Sequence, residues 1–358
     1  MMRKIFALIK THENHISALA MVGGFVVDNL LFGRVDVSQT QLVFASYALV
    51  CFFSITLLHY LEERGRSASR LRSVLPIVTQ FALGGFWSGF LIFYFRAADL
   101  ASSWPFILFL VLVFLGNEYF RGYHARLVFT SVLFFFALYS YAIFAVPIYT
   151  HTIGPSIFLL SGAVSIALFA LFTVALRLVG RERFLAYVWQ IRLGALGVLI
   201  FLNVCYFTGT LPPLPLSAVA GGIYHQVTRV PGAYMALAEP EPWQVHYLGF
   251  SPTLHLVSGE AVYAYSSIFA PTDLTTTIVH TWEWYDGGTK SWVRKAQITY
   301  PIAGGRENGY RGYSTITPME AGSWRINVET LDGRLIARFP FTIENVPATP
   351  SLDLITLP

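Results

Sequence analysis

Charge is scarce in this chain. Only 12% of its 358 residues are Asp, Glu, Lys or Arg, against 55% hydrophobic, and the mean hydropathy is +0.56, a balance that excludes an ordinary soluble domain. Lysine is scarcer still, confined to Lys4, Lys10, Lys290 and Lys295. None lies in an apolar run, so no span offers an amine for a retinal Schiff base and a rhodopsin is excluded. The two cysteines, Cys51 and Cys205, both fall in apolar runs, which leaves the C-terminal part without a disulfide framework. Also missing are a P-loop, a Rossmann glycine pattern, HExxH and GxSxG. His225, His246, His255 and His280 lack metal-ligand spacing, so neither a metal nor a cofactor is expected. There is no internal repeat and no matched pair of Gly/Pro-broken spans, which disfavours a transporter.

Long apolar runs are what the chain does have. A spanning helix needs about 20 mostly apolar residues, and windows of that length predict seven, over residues 15–33, 41–61, 75–95, 103–120, 126–148, 155–177 and 193–210. An odd number puts the two termini on opposite sides. One set of connections holds Arg3, Lys4, Lys10, Arg64, Arg66, Arg70, Arg72, Arg121, Arg126, Arg177, Arg181, Arg183 and Arg192, and the opposite set holds only Arg34 and Arg96. Basic residues resist translocation and meet anionic lipid, so the N-terminus is expected in the cytoplasm and the chain beyond residue 210 outside. The net charge of +4 is thus spent largely on topology, and nucleic acid is not implied. No cleavable signal pattern is present, so the first span is expected to serve as its own signal. MMRKIFALIK ahead of it reads either as a short interfacial helix or as a plain basic tail.

The text changes at Pro212. GTLPPLPLS favours an extended connector, and beyond it GIYHQVTRV, GEAVYAYSSIFAP, TTIVHTWEWY, SWVRKAQITYPI and YRGYSTI are rich in β-branched and aromatic residues. In SWRINVETLDGRLIARFPFTIE, Trp324, Ile326 and Val328 alternate with Arg325, Asn327 and Glu329. Asp332-Gly333 supplies the turn, and Leu335, Ala337, Phe339, Phe341 and Ile343 share a face of the return strand. The expected architecture is therefore an α-helical membrane bundle of seven spans over residues 1–211. An all-β sandwich of about seven strands, immunoglobulin- or fibronectin-like, follows over 212–345, and then a flexible tail over 346–358.

These motifs carry a resemblance. HTWEWYDGG, GYRGYSTI and AGSWRINVETLDGRLIARFPFTI resemble a small bacterial domain family of unknown function. DNLLFGRVD, FWSGFLIFYFRAADLASSWPF and GNEYFR are similar to an uncharacterised polytopic membrane family often fused to it. The resemblance implies a Gram-negative inner-membrane protein with a periplasmic domain, and it brings no catalytic residues with it.

Three groups of residues are candidate sites. The first is intramembrane: Asp28 and Asn29 interrupt the first span, with Arg34, Asp36, Arg96 and Asp99 near the same outer edge. They read either as a polar pocket for a proton, ion or headgroup, or as an ion pair locking helices. The second, Asn117, Glu118 and Arg121 at the cytoplasmic edge, reads as a headgroup or acid/base site or, more plainly, as a helix end with snorkelling side chains. His15 and His59 at the same edge read as two interfacial histidines. The third is aromatic. Trp324 belongs to the core by alternation and Trp282 and Trp284 share a face, whereas Trp243, Trp292 and Tyr310 are the expected exposed ones, with Arg306 and Arg311 as a rim.

The function these features favour is non-catalytic, with the sandwich binding an envelope protein or a cell-wall glycan as an accessory subunit. The expected partners are the bilayer and that component, with self-association left open. The competing reading is a membrane-embedded enzyme or a lipid- or ion-handling protein built on Asp28 and Arg96, and a third is a sensor signalling through the arginine-rich loops.

Overall fold

A computed structural model of the chain describes residues 25–26, 28–29, 38–65, 70–97, 99–119, 126–240, 251–306, 308–318 and 320–358. Two compact units divide the chain. One holds the helices as far as Leu211, apart from Arg96–Ser102, and the other holds Arg96–Ser102 with Pro212–Pro358.

Six helices stand among the described residues: α1 (Ser38–Glu63), α2 (Arg70–Ala97), α3 (Leu100–Tyr119), α4 (Leu127–Thr150), α5 (Pro155–Val179) and α6 (Arg181–Phe207). Five of them, all but α3, are long and apolar enough to cross a membrane, which marks the chain as a membrane protein. The expectation of seven spans is corrected accordingly. The apolar part of α3, Ser102–Asn117, is shorter than a span. Of the predicted 15–33 span only Phe25, Val26, Asp28 and Asn29 are described, all helical, and its remainder lies outside the described residues. The stretch 181–192, expected as a loop, forms the first three turns of α6. Its arginines lower the hydropathy of a window without opposing helix, since Arg is a good helix former.

Aromatic rings fill the helical unit. Phe44 on α1 lies 5.4 Å from Phe90 of α2 and 5.3 Å from Phe144 of α4, centroid to centroid, and Trp87 stacks on Phe136 at 5.1 Å. Its outer surface is apolar too, with Leu42, Leu49 and Phe53 on α1 and Leu193, Leu196, Ile200 and Val204 on α6 exposed, as acyl chains require of a spanning helix. Where α5 gives way to α6 at Gly180, the buried His59 of α1 bonds the Gly180 carbonyl through Nε2 at 2.9 Å. A Cβ on Gly180 would lie 2.5 Å from that nitrogen, so only glycine admits the imidazole. The α6 N-terminus has no cap of its own. Glu63 of α1 supplies one, accepting the Glu182 and Arg183 amides at 3.2 and 3.3 Å, which satisfies donors left over at a helix start. Glu62 pairs with Arg183 and with Arg72.

The C-terminal unit is β-rich, with eleven strands among its described residues where about seven were expected. They are β1 (Ser217–Tyr224), β2 (Gln226–Val230), β3 (Ala233–Ala238), β4 (Thr253–Leu256), β5 (Val262–Phe269), β6 (Thr275–Asp286), β7 (Ser291–Ala303), β8 (Tyr310–Ile316), β9 (Gly322–Thr330), β10 (Leu335–Asn345) and β11 (Asp353–Leu357). Among the described residues they form three sheets, ordered β1-β5-β8, β4-β10-β9-β6-β7 and β11-β3-β2. β9 and β10 form the hairpin that Asp332-Gly333 predicts, with Gly333 at φ 78°. Trp324 pairs with Phe341 and Ile326 with Phe339, and a register shift between Leu335 and Ala337 turns Ile336 into the core. Residues 353–357, expected in a flexible tail, form β11, antiparallel to β3. Leu357 is buried there with Val227, Ala236 and Tyr265, a long-range packing that a Pro-rich tail does not announce.

The five-stranded and three-stranded sheets meet through side chains. His280 of β6 is fully buried, its Nε2 2.8 Å from Ser266 Oγ on β5 and its Nδ1 2.8 Å from Ser314 Oγ on β8. Trp282 Nε1 donates to the same Ser314 hydroxyl at 3.0 Å, and the Tyr300 hydroxyl lies 2.6 Å from Ser266. Burial holds the imidazole neutral, its pKa down at about 4.

Candidate functional site

Strand alternation assigns the faces of β6, β9 and β10. Ile278, His280 and Trp282 on β6 and Trp324, Ile326 and Val328 on β9 are core, which sends Thr281 and Glu283, and Arg325, Asn327 and Glu329, to the other face. There the register sets Glu283 opposite Arg325 and Asn327 opposite Arg338. Cross-strand partners follow directly. Arg325 Nε donates to Glu283 Oε2 at 2.6 Å, Asn327 Nδ2 donates to the same oxygen at 2.9 Å, and Arg338 Nε donates to Asn327 Oδ1 at 2.7 Å. Thr281 donates to Glu329 at 2.9 Å, yet burial still holds the Glu329 carboxyl above its ordinary range.

An aromatic pair completes this face at the end of the sheet. Trp292 on the edge strand β7 lies opposite Tyr285 on β6, ring centroids 5.3 Å apart and planes inclined at 61°. The Arg325 guanidinium sits over the Trp292 ring, 4.2 Å from carbon to centroid, a cation–π arrangement. Nearby, Lys295 lies 4.8 Å over Trp284 and pairs with Glu320, while Trp284 Nε1 donates to the Ala321 carbonyl at 3.0 Å. Thr281 and Asn327 on this face are buried, and Trp292 is half-buried at its end. The Trp, Tyr and Arg of this face are the types that dominate binding hot spots, and its carboxylate is held by two donors.

The other predicted residues fall elsewhere. Trp243 lies outside the described residues. Arg306 sits over Tyr310 at 4.8 Å. Arg311 donates to the Gly232 carbonyl at 3.4 Å, and its own carbonyl accepts from Tyr234. Arg306 and Tyr310 therefore meet at the start of β8 and Arg311 reaches the β2–β3 turn, all with neighbours different from those of Trp292. In the helical unit, Asp28 lies beside Ser88 of α2 and Tyr47 of α1. Asn29 is described as helical, and Arg34 and Asp36 are outside the described residues. Arg96 ends α2 with its side chain exposed, and Asp99 caps α3, accepting from the Ser102 amide and hydroxyl at 3.1 Å. Asn117 is buried, and it exchanges side-chain-to-carbonyl bonds with Gln80 at 3.2 and 3.4 Å, a tie between α3 and α2. Glu118 lies in α3, Arg121 is outside the described residues, and so is His15.

One cluster carried no sequence signal. Glu239 accepts the His255 amide at 2.6 Å, and its oxygens lie 2.9 Å from His225 Nε2 and 2.6 Å from His255 Nδ1. Partial burial pushes the Glu239 carboxyl up, but the amide and the imidazoles outweigh it and hold it below the ordinary carboxylate range. Among the described residues no group of three or more His, Cys, Asp or Glu is arranged to hold a metal ion.

Residues 275–343 match a domain family described as a protein of unknown function, DUF2914, and that stretch contains β6 to β9, most of β10 and all of the face just described. No curated protein matches the chain. Among solved structures, a β-glucosidase from Listeria innocua in complex with glucose is similar at 12% identity and a TM-score of 0.20, over 35% of this chain and 16% of that one. An alkylpurine DNA glycosylase, AlkC, from Pseudomonas fluorescens, bound to DNA containing an abasic-site analogue, is similar at 8% identity and a TM-score of 0.21, over 84% and 97% of the two chains. The chain spans 16% of the length of that β-glucosidase. Neither likeness bears on this chain's fold or activity.

Proposed function

We propose that this is a non-catalytic inner-membrane protein of the bacterial envelope whose β domain, an immunoglobulin-like sandwich on the periplasmic side, binds another envelope component as an accessory subunit. The N-terminus, which carries Arg3, Lys4 and Lys10, lies in the cytoplasm. One observation carries the reading: Trp292, Tyr285 and Arg325 are grouped at the edge strand β7 on a face outside the core. Because Arg325 already covers one face of the indole, a stacked sugar ring competes with it, whereas a protein partner meets the guanidinium, the indole edge and the phenol together. A protein partner is therefore favoured over a cell-wall glycan. The test is purification of the full-length protein from native membranes in mild detergent, with a chain lacking residues 212–358 as control. A protein that co-purifies only with the full chain supports the reading. Co-purification with neither chain, or equally with both, contradicts it.

A further inference from the structure

Strand β4 is four residues long and pairs in parallel with β10, which sets Glu344 beside His255 and Ile343 beside Leu254. Leu254, Leu256 and Ile343 are buried, so His255 and Glu344 share the other face of the sheet. There His255 Nε2 stands 3.7 Å from Glu344 Oε2, with both side chains open to solvent. The far side of the same ring is fixed. Its Nδ1 lies 2.6 Å from Glu239 Oε2, while Glu239 Oε1 accepts the His255 amide and lies 2.9 Å from His225 Nε2.

Glu239, whose carboxyl is held below its ordinary range, can only accept. The proton of the His255 imidazole is therefore on Nδ1, and the Nε2 lone pair faces Glu344. Two acceptors stand across a gap that a cation can fill. We propose that His255 Nε2 and the Glu344 carboxylate bind a divalent transition-metal ion of the zinc class, with water in its remaining positions, independently of any partner at Trp292. Three features match that ligand. Zinc bonds of about 2.0 Å to nitrogen and about 2.1 Å to oxygen, at a tetrahedral angle, place the two ligand atoms about 3.4 Å apart, so a movement of a few tenths of an ångström seats the ion. A metal-bound histidine typically donates its other ring N–H to a carboxylate, which orients the ring and raises its basicity, and Glu239 stands in that place. Among the described residues neither Glu239 nor Glu344 pairs with an arginine or lysine, so the local charge favours a cation. Among those residues no three His, Cys, Asp or Glu converge on one ion, which makes this an open, water-completed site rather than a closed structural one. The imidazole selects zinc over calcium or magnesium, which prefer oxygen alone.

The test is calorimetric titration of zinc chloride into the untagged, metal-free full-length protein in detergent at pH 7.5, with calcium chloride as the control. The wild type is expected to bind zinc at a site that calcium does not fill. Glu239→Gln leaves both ligands in place and should weaken zinc binding by about 10- to 100-fold, and His255→Gln or Glu344→Gln, which removes a ligand, should weaken it at least as much. No zinc binding by the wild type overturns the proposal and leaves a proton alone between the two side chains. Undiminished zinc affinity in Glu344→Gln also overturns it, as does equal binding of calcium. Should Glu239→Gln or His255→Gln fail to fold, Glu344→Gln, a change at an exposed carboxylate, decides.

Discussion

Arg325 makes two contacts at once: its guanidinium lies 4.2 Å over the Trp292 ring and its Nε donates to Glu283 at 2.6 Å. The carboxylate fixes the arginine and the arginine fixes the indole, so the aromatic pair at the edge of the sheet is held in place before any partner arrives. Preorganisation of this kind reduces the ordering cost of binding. Trp292→Ala is expected to weaken partner capture by tenfold or more, about 2 kcal/mol for a hot-spot aromatic, with little change in unfolding midpoint. Arg325→Ala should weaken capture less and cost about 1 kcal/mol of stability, read by denaturant titration of the detergent-solubilised protein.

His280 predicts a pH dependence. Its folded pKa of about 4 lies below the ordinary value of 6.5, so the unfolded chain takes up a proton before the folded one does. The stability tied to the neutral imidazole is complete above about pH 6.5 and is lost as pH falls toward about 4, at roughly 1.4 kcal/mol per unit. His280→Gln should start less stable and show a flatter profile across that window. The midpoint of β-domain unfolding, followed by tryptophan fluorescence from pH 7.5 to 4.5, measures it.

Trp282 and Trp324 are fully buried on the inner face of the five-stranded sheet. Replacing either by alanine is expected to cost about 3–5 kcal/mol. Trp282→Ala also removes the donor to Ser314, so it should loosen the contact with β8 as well. Hydrogen exchange in β8 rising in Trp282→Ala but not in Trp324→Ala is the expected pattern.

Glu63 caps a helix far away in sequence. Glu63→Ala should cost about 1 kcal/mol, in the range of a lost N-cap, whereas Gly180→Ala should cost more because its Cβ collides with the His59 imidazole. Thermal denaturation of the helical signal in detergent ranks the two, and the reverse order contradicts this account of the α5–α6 junction.

Much of this architecture was legible in the sequence because its causes are local. Apolar runs mark α1, α2, α4 and α5, alternation places Trp324 in the core, and Asp332-Gly333 sets the β9–β10 turn. What was not legible depends on long-range partners. α6 starts at Arg181 because Glu63 caps it, and β11 exists because β3 offers an edge. Glu239 joins His225 and His255 across strands whose order no local pattern reveals. The site was half legible. Composition points to Trp292 and alternation to the outward residues of β9, but Arg325 over Trp292 depends on the register of three strands. Residue type alone groups Arg306, Tyr310 and Arg311 with Trp292, and the fold gives them other neighbours.

The central claim is that the Trp292 face binds a protein of the envelope. Its most direct test is site-specific photo-crosslinking in living cells, with a benzoylphenylalanine placed at position 292 of the full-length protein and, as control, at Tyr310 on β8, which is half-buried like Trp292. A discrete protein adduct from position 292, absent at position 310, is the predicted result. No adduct at 292, or the same adduct from both positions, would contradict it.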